Sequence, residues 1–297
     1  MDEAQMLQFI SGVLLRICGK EVTVIEYRSV AGGCINNGTR VRFRDDRDKE
    51  QTIFLKWNRH DTDDLFEMEA LGLQLLDEQQ IFSMPKVVGQ GQYMSINYLA
   101  LSFIDSQPPR PDFWASFGQE LAALHRISAP QYGFSYDNYI GRLPQKNTCK
   151  EDWVDFFIEN RLEAQLGLAL YNDHISRDFA KKFRLLYAQL PGLLISDLPS
   201  LLHGDLWSGN FMTDHRGLPA IIDPAVYYGN REIEIAFTQL FGGFDRQFYR
   251  SYHEAFPLEE GFQARAEIYN LYPLLVHVNL FGPSYLSGIE STIRRFV

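Results

Sequence analysis

The sequence predicts an α+β chain in two lobes. Residues 1–104 read as a small antiparallel sheet with flanking helices, and residues 105–297 as a mostly helical lobe. Three observations predict this. Short β-branched segments separated by brief turns fill the first third. Asp105-Ser106-Gln107-Pro108-Pro109 then interrupts regular structure, because proline lacks a backbone N–H and fixes its own φ. Beyond it, apolar residues recur mostly at three- and four-residue spacing.

A chain of 297 residues, 45% of them apolar, can bury a sizeable core. The net charge of −10 argues against nucleic acid as a partner. The N-terminus, Met1-Asp2-Glu3-Ala4-Gln5, lacks the basic region and long apolar run of a signal peptide. No apolar run reaches membrane-spanning length, so no membrane partner is expected. Cys18, Cys34 and Cys149 are widely spaced and form neither a metal-ligand pair nor a disulfide framework. A cytoplasmic monomer in a reducing compartment is expected.

In chain order, Met6, Leu7, Ile10, Leu14 and Ile17 mark a helix over 4–18. Strands follow at 22–27 and 39–43. The turn between them holds Gly32 and Gly33, whose missing Cβ lets backbone N–H groups approach phosphates, although such a pair also suits an ordinary turn. Residues 44–50 are a charged turn, and 52–57 a strand that carries Lys56 between Leu55 and Trp57. A helix then begins at Asp63-Asp64, with Leu65, Met68, Gly72, Leu75 and Leu76 facing inward. Glu69 borders that stripe, and Glu67 falls on the outer side. Residues 84–88 read as a strand, 89–93 as a turn, and the continuous apolar run 98–104 as a buried strand. Residues 102–108 are the expected hinge.

The second lobe opens with a helix over 113–128, on which His125 reads as a packing residue. Residues 130–148 are loop-like and rich in amides and rings, including Asn138, Gln145 and Asn147. They suit either sugar recognition or a plain connection. Helices are predicted over 153–170, 177–190, 233–241, 246–256 and 261–281, the last kinked by Pro273, with a surface tail from Gly282.

The chemistry concentrates in Leu201-Leu202-His203-Gly204-Asp205-Leu206-Trp207-Ser208-Gly209-Asn210 and Ile221-Ile222-Asp223-Pro224. An Asp is followed five positions later by an Asn. A short hairpin, 211–213 and 220–222 around Asp214-His215-Arg216-Gly217, then leads to a second Asp. Transfer of a phosphoryl group from ATP needs these types: a carboxylate for the acceptor's proton, and an amide oxygen and a second carboxylate for Mg²⁺. It also needs a lysine on a strand held by a carboxylate on the next helix, for which Lys56 and Glu69 are the candidates.

These residues resemble the fructosamine-3-kinase, or ketosamine-3-kinase, family within the protein-kinase-like fold of aminoglycoside phosphotransferases. The resemblance covers nearly the whole chain. It is carried by Phe54-Leu55-Lys56-Trp57-Asn58, Glu69 to Leu73, Asn138-Tyr139-Ile140-Gly141, Pro144 to Asn147, Trp153 to Phe157, His203 to Asn210 and Ile222 to Gly229. It implies a bilobal kinase fold with Asp205 as catalytic base and Asn210 and Asp223 as magnesium ligands. It further implies that Lys56, held by Glu69, contacts ATP, that Gly32 and Gly33 lie in a phosphate loop, and that Ser102, Phe103 and Ile104 form the adenine hinge. The implied activity is ATP-dependent phosphorylation of the sugar 3-hydroxyl of a ketosamine, free or on a protein lysine. The product is unstable, so the amine is repaired.

The chain departs from the family pattern at Asn230, where a His is usual, and at Glu234, where an Asp is usual. Cys34 in the expected phosphate loop is a candidate redox-sensitive thiol and a possible dimer link. Two rival readings are another small-molecule kinase of the fold, acting on an aminoglycoside or choline, and a nucleotide-binding scaffold without catalysis.

Overall fold

The computed structural model describes residues 1–30, 36–59 and 64–297. The chain divides into two compact units, Met1–Pro108 with Met212–Ile222, and Pro109–Phe211 with Asp223–Val297.

In the first unit, α1 (Glu3–Cys18) opens with a capping box: Asp2 accepts from Gln5 N–H, and the Gln5 side chain accepts from Asp2 N–H. Strands β1 (Thr23–Val30), β2 (Asn37–Arg44) and β3 (Glu50–Asn58) follow, then α2 (Leu65–Glu78), β4 (Val87–Tyr93) and β5 (Ile96–Ser102). They form one antiparallel sheet in the order β1-β2-β3-β5-β4. Side chains alternate across a strand. Val41, Phe43, Ile53, Leu55, Tyr98 and Ala100 therefore meet Phe9, Ile10, Val13 and Leu14 of α1 in a single core. Lys56 faces the other way, where Leu99 is its cross-strand neighbour. Because both faces of β5 are covered, Ile96 to Leu101 are all buried, as a continuous apolar run requires.

Two expectations shift here. The segment 89–93 is a strand, not a turn. The turn is Met94-Ser95, both with positive φ, between the paired residues Tyr93 and Ile96. The inward face of α2 is Leu65, Phe66, Ala70, Gly72, Leu73 and Leu76, with Met68 and Leu75 only half-buried. Asp63 lies outside the described residues.

The second unit starts with α3 (Phe113–His125), a short hairpin of β6 (Asn138–Ile140) and β7 (Leu143–Gln145), and α4 (Trp153–Phe156). A seven-residue π-helical segment, Phe157–Glu163, then joins α4 to α5 (Ala164–Tyr171), so the helix expected over 153–170 is not uniform. Next come α6 (Arg177–Leu185), α7 (Leu190–Leu193) and β8 (Ser200–Leu202); the hairpin β9 (Phe211–Thr213) and β10 (Pro219–Ile221) falls, from Met212 on, in the first unit, and β11 (Tyr227–Gly229) is again in the second. β11 pairs with β8, not with the hairpin. The C-terminal helices are α8 (Glu232–Leu240), α9 (Arg246–Ala255), α10 (Phe262–Tyr269), α11 (Leu271–Phe281) and α12 (Leu286–Phe296).

The break in the predicted helix 261–281 falls at Asn270. Pro273 sits in the first turn of α11, where its missing N–H has no intrahelical partner to lose. The expected surface tail is instead a helix that buries Ile289, Thr292 and Ile293 on one face.

Candidate active site

In the first unit, Lys56 and Glu69 meet as β3 and α2 bring them together. Lys56 Nζ lies 2.6 Å from Glu69 Oε1, and the two side chains are 9% and 11% exposed. Glu67 points outward, exposed. A nearly buried ammonium persists when a carboxylate compensates its lost hydration. Ser102, at the end of β5, gives its N–H to Lys86 O and accepts from Lys86 N–H at its hydroxyl. The Arg40 guanidinium stacks on the Phe103 ring at 4.8 Å, and Ile104 follows in irregular backbone. Gly32, Gly33 and Cys34 lie outside the described residues.

In the second unit, β8 delivers the loop His203–Asn210. Gly204 has φ +85°, and a side chain there would collide with Ala225 O. Only glycine permits this crossing of the two segments. Ala225 N–H donates to His203 O at 2.8 Å, which places Asp223-Pro224-Ala225 beside His203-Gly204. The Asn210 amide donates to Asp205 O at 2.8 Å and to Asp205 Oδ2 at 2.9 Å. Both bonds are made by the amide nitrogen, not by the amide oxygen of Asn210. Asp223 holds φ +57°, a region that non-glycine residues occupy rarely and often at functional sites.

A carboxylate oxygen of Asp223 and the amide oxygen of Asn210 are hard donors of the kind Mg²⁺ takes, which binds through one or two carboxylates plus substrate phosphates. No cluster of three or more His, Cys, Asp or Glu that could hold a metal occurs among the described residues.

Glu234 of α8 braces the loop from below. Its carboxylate accepts from Gly204 N–H at 2.6 Å, from His203 N–H at 3.1 Å and from His125 Nε2 at 2.9 Å. Burial alone would raise its pKa. The His125 hydrogen bond, the charges of His125 and His203 and the Gly204 N–H outweigh that and hold the carboxyl below its ordinary range. His125 Nδ1 meets Tyr252 OH at 2.8 Å, and Arg231 donates to the same hydroxyl at 3.3 Å. His125 is thus a packing residue with a specific task. Glu234 and Tyr252 carry no motif of their own. The substitution of Glu for Asp at 234 was the only sign of the brace in the sequence. Asn230 donates to Ile195 O and accepts from Glu232 N–H.

The amides of 138–147 do not face a ligand. Asn138 donates to Val226 O, and Gln145 to Ala225 O and Asn138 Oδ1. Asn147 donates to Asn138 Oδ1 and accepts from Arg161. All three are at most 4% exposed. They fix the segment after Asp223, and the sugar-reading role considered for this loop is corrected for these amides. Arg161, in the π-helical segment, is itself buried against the Tyr227 ring at 3.9 Å.

A family model described as fructosamine kinase matches residues 6–297. A probable ketoamine kinase of Synechocystis is 39% identical over 293 residues, covering 97% of this chain and 96% of its own. A chloroplastic protein-ribulosamine 3-kinase of Arabidopsis thaliana is 36% identical over 281 residues, covering 93% of this chain and 80% of its own. The crystal structure of a candidate fructosamine-3-kinase from Haemophilus somnus superposes with a TM-score of 0.85 at 29% identity, covering 98% and 97%. A thermostable mutant of an aminoglycoside phosphotransferase, in a ternary complex with ADP and hygromycin B, has a TM-score of 0.62 at 14% identity, covering 96% and 98%. That last likeness is one of fold alone.

Proposed function

This chain belongs to the fructosamine kinase family, and from that premise we propose that it transfers the γ-phosphoryl group of ATP to the 3-hydroxyl of a ketosamine. The acceptor is a ribulosamine or fructosamine adduct of an amine or a protein lysine. The observation that carries the reading is the Asp205–Asn210 pair, joined through two hydrogen bonds on a loop whose backbone Glu234 holds.

Asp205 orients the acceptor hydroxyl and takes its proton as the oxygen–phosphorus bond forms and the bond to the ADP oxygen breaks. Asn210 and Asp223 hold Mg²⁺. When bound, the ion neutralises charge on the phosphates. Lys56, fixed by Glu69, contributes a second positive charge toward the nucleotide. Ser102 already uses its N–H on Lys86, which leaves the backbone of Phe103 and Ile104 for the adenine. The phosphorylated adduct decomposes and frees the amine. Three widely spaced cysteines suit a reducing, cytoplasmic setting.

The test is an acceptor assay with Asp205→Asn. Turnover should fall by about two to four orders of magnitude, while ATP binding measured by calorimetry stays close to that of the unaltered enzyme. Undiminished turnover rejects Asp205 as the base.

A further inference from the structure

Beyond the catalytic loop, the second unit carries a group of rings that the phosphoryl transfer does not use. Phe241 follows directly on α8, His277 and Phe281 stand one turn apart on α11, and Tyr285 lies just before α12. His277 sits at the centre. Its ring centroid is 4.6 Å from that of Phe241, 5.0 Å from Tyr285 and 5.4 Å from Phe281. A ring cluster built only for stability is usually hidden from water, yet Phe241 is 38% and Phe281 46% exposed.

Two contacts join this group to the loop that holds Asp205. Phe237, one turn earlier on α8, touches Phe241 at 6.0 Å and lines a small cavity together with Gly204 and Glu234. Gly243, at φ +94°, lies so close to Ser208 that a side chain there would collide with it. The chain leaving Phe241 is therefore pressed against the segment between Asp205 and Asn210.

We propose that these rings form the subsite for the amine-bearing part of the acceptor, taking the secondary ammonium and the alkyl chain attached to it. The proposal rests on the kinase reading above. A ketosamine carries its nitrogen on C1 of the sugar, next to the keto carbon, as a protonated secondary amine on an alkyl stem. Ring faces attract such a cation, and apolar ring edges cover a methylene stem. The free adduct of lysine and a lysine adduct on a protein share this chemistry. His277 fits the task. Its Nδ1–H donates to Pro273 O at 2.7 Å, so Nε2 carries the lone pair. Burial pushes its pKa down against that hydrogen bond, which favours the neutral ring. It offers an acceptor to the ammonium and no competing charge.

The test compares three ribulosamine acceptors: the methylamine adduct, which has no stem, the Nα-acetyl-lysine adduct, and a small protein bearing ribulosyl-lysine. Phe241→Ala and Phe281→Ala should lower kcat/KM for the lysyl adduct about tenfold relative to the methylamine adduct, mainly through KM. Tyr171→Ala, 84% exposed elsewhere on the unit, should leave that ratio as it is. A fall on the protein acceptor as well supports protein-bound lysine as the source, and a fall on the free adduct alone supports the free source. Equal losses on all three acceptors, or none, overturn the proposal. A wild-type enzyme that phosphorylates none of the three overturns the kinase reading itself.

Discussion

The carboxylate of Glu234 shows how much one buried side chain can carry. Its two oxygens receive three donors: two backbone N–H groups of the loop and one imidazole nitrogen. Glu234→Gln would keep the volume but replace one acceptor oxygen by an NH₂ group that must face a donor. We expect a loss of about 3 kcal/mol of stability, the usual cost of breaking a buried hydrogen-bonded charge, read from chemical denaturation. Turnover should fall with it, because Asp205 follows directly on the braced N–H groups of His203 and Gly204. Full stability and turnover in this variant would show that the brace is dispensable. Asp223 behaves differently. Its φ is positive, and as the magnesium ligand proposed above its replacement in Asp223→Ala should abolish magnesium-dependent nucleotide binding. Calorimetry with and without Mg²⁺ decides it.

Elements were legible where a pattern had one physical source. The helix α1 and the strands β2 and β3 followed from apolar spacing, because a single buried face imposes a single period. The β4–β5 hairpin was not. A two-residue turn of this kind demands positive φ at both positions, for which Asn-Gly is the usual signal, and here the positions hold Met94 and Ser95. Cross-strand pairing of Tyr93 with Ile96 overrides the local preference. Replacing Met94-Ser95 by Asn-Gly should therefore relieve roughly 1–2 kcal/mol of backbone strain and raise the midpoint of thermal unfolding. An unchanged or lower midpoint contradicts this account. The π-helical segment at Phe157–Glu163 was equally hidden. It depends on Arg161 finding Lys146 O, Asn147 and the Tyr227 ring, partners remote in sequence.

At the scale of the whole molecule, pH reads out the buried charges. Glu234 and Asp214 have carboxyls held below their ordinary range in the folded chain. In both, hydrogen bonds outweigh burial, from His125 at Glu234 and chiefly from Leu218 N–H at Asp214. The unfolded chain then binds more protons at acid pH, so stability is present above the ordinary carboxylate range and lost as pH falls through it. His277, lowered by burial, adds a loss of the same sign that begins near the ordinary histidine value of about 6.5. Thermal midpoints should decline gently below about pH 6.5 and steeply below about pH 4.5. His277→Phe should flatten the upper part alone, and a midpoint that rises on acidification would contradict the sign. The sequence by itself determined the α+β class, the family, and the pairing of a strand lysine with a helix glutamate, because those features lie in short contiguous patterns. Only the tertiary structure decided that Asn138, Gln145 and Asn147 support the backbone after Asp223 instead of facing a ligand, and that Glu234 holds the loop of Asp205. Burial and hydrogen-bond partners depend on residues tens of positions away, and a linear pattern does not record which face of a side chain those distant residues will cover.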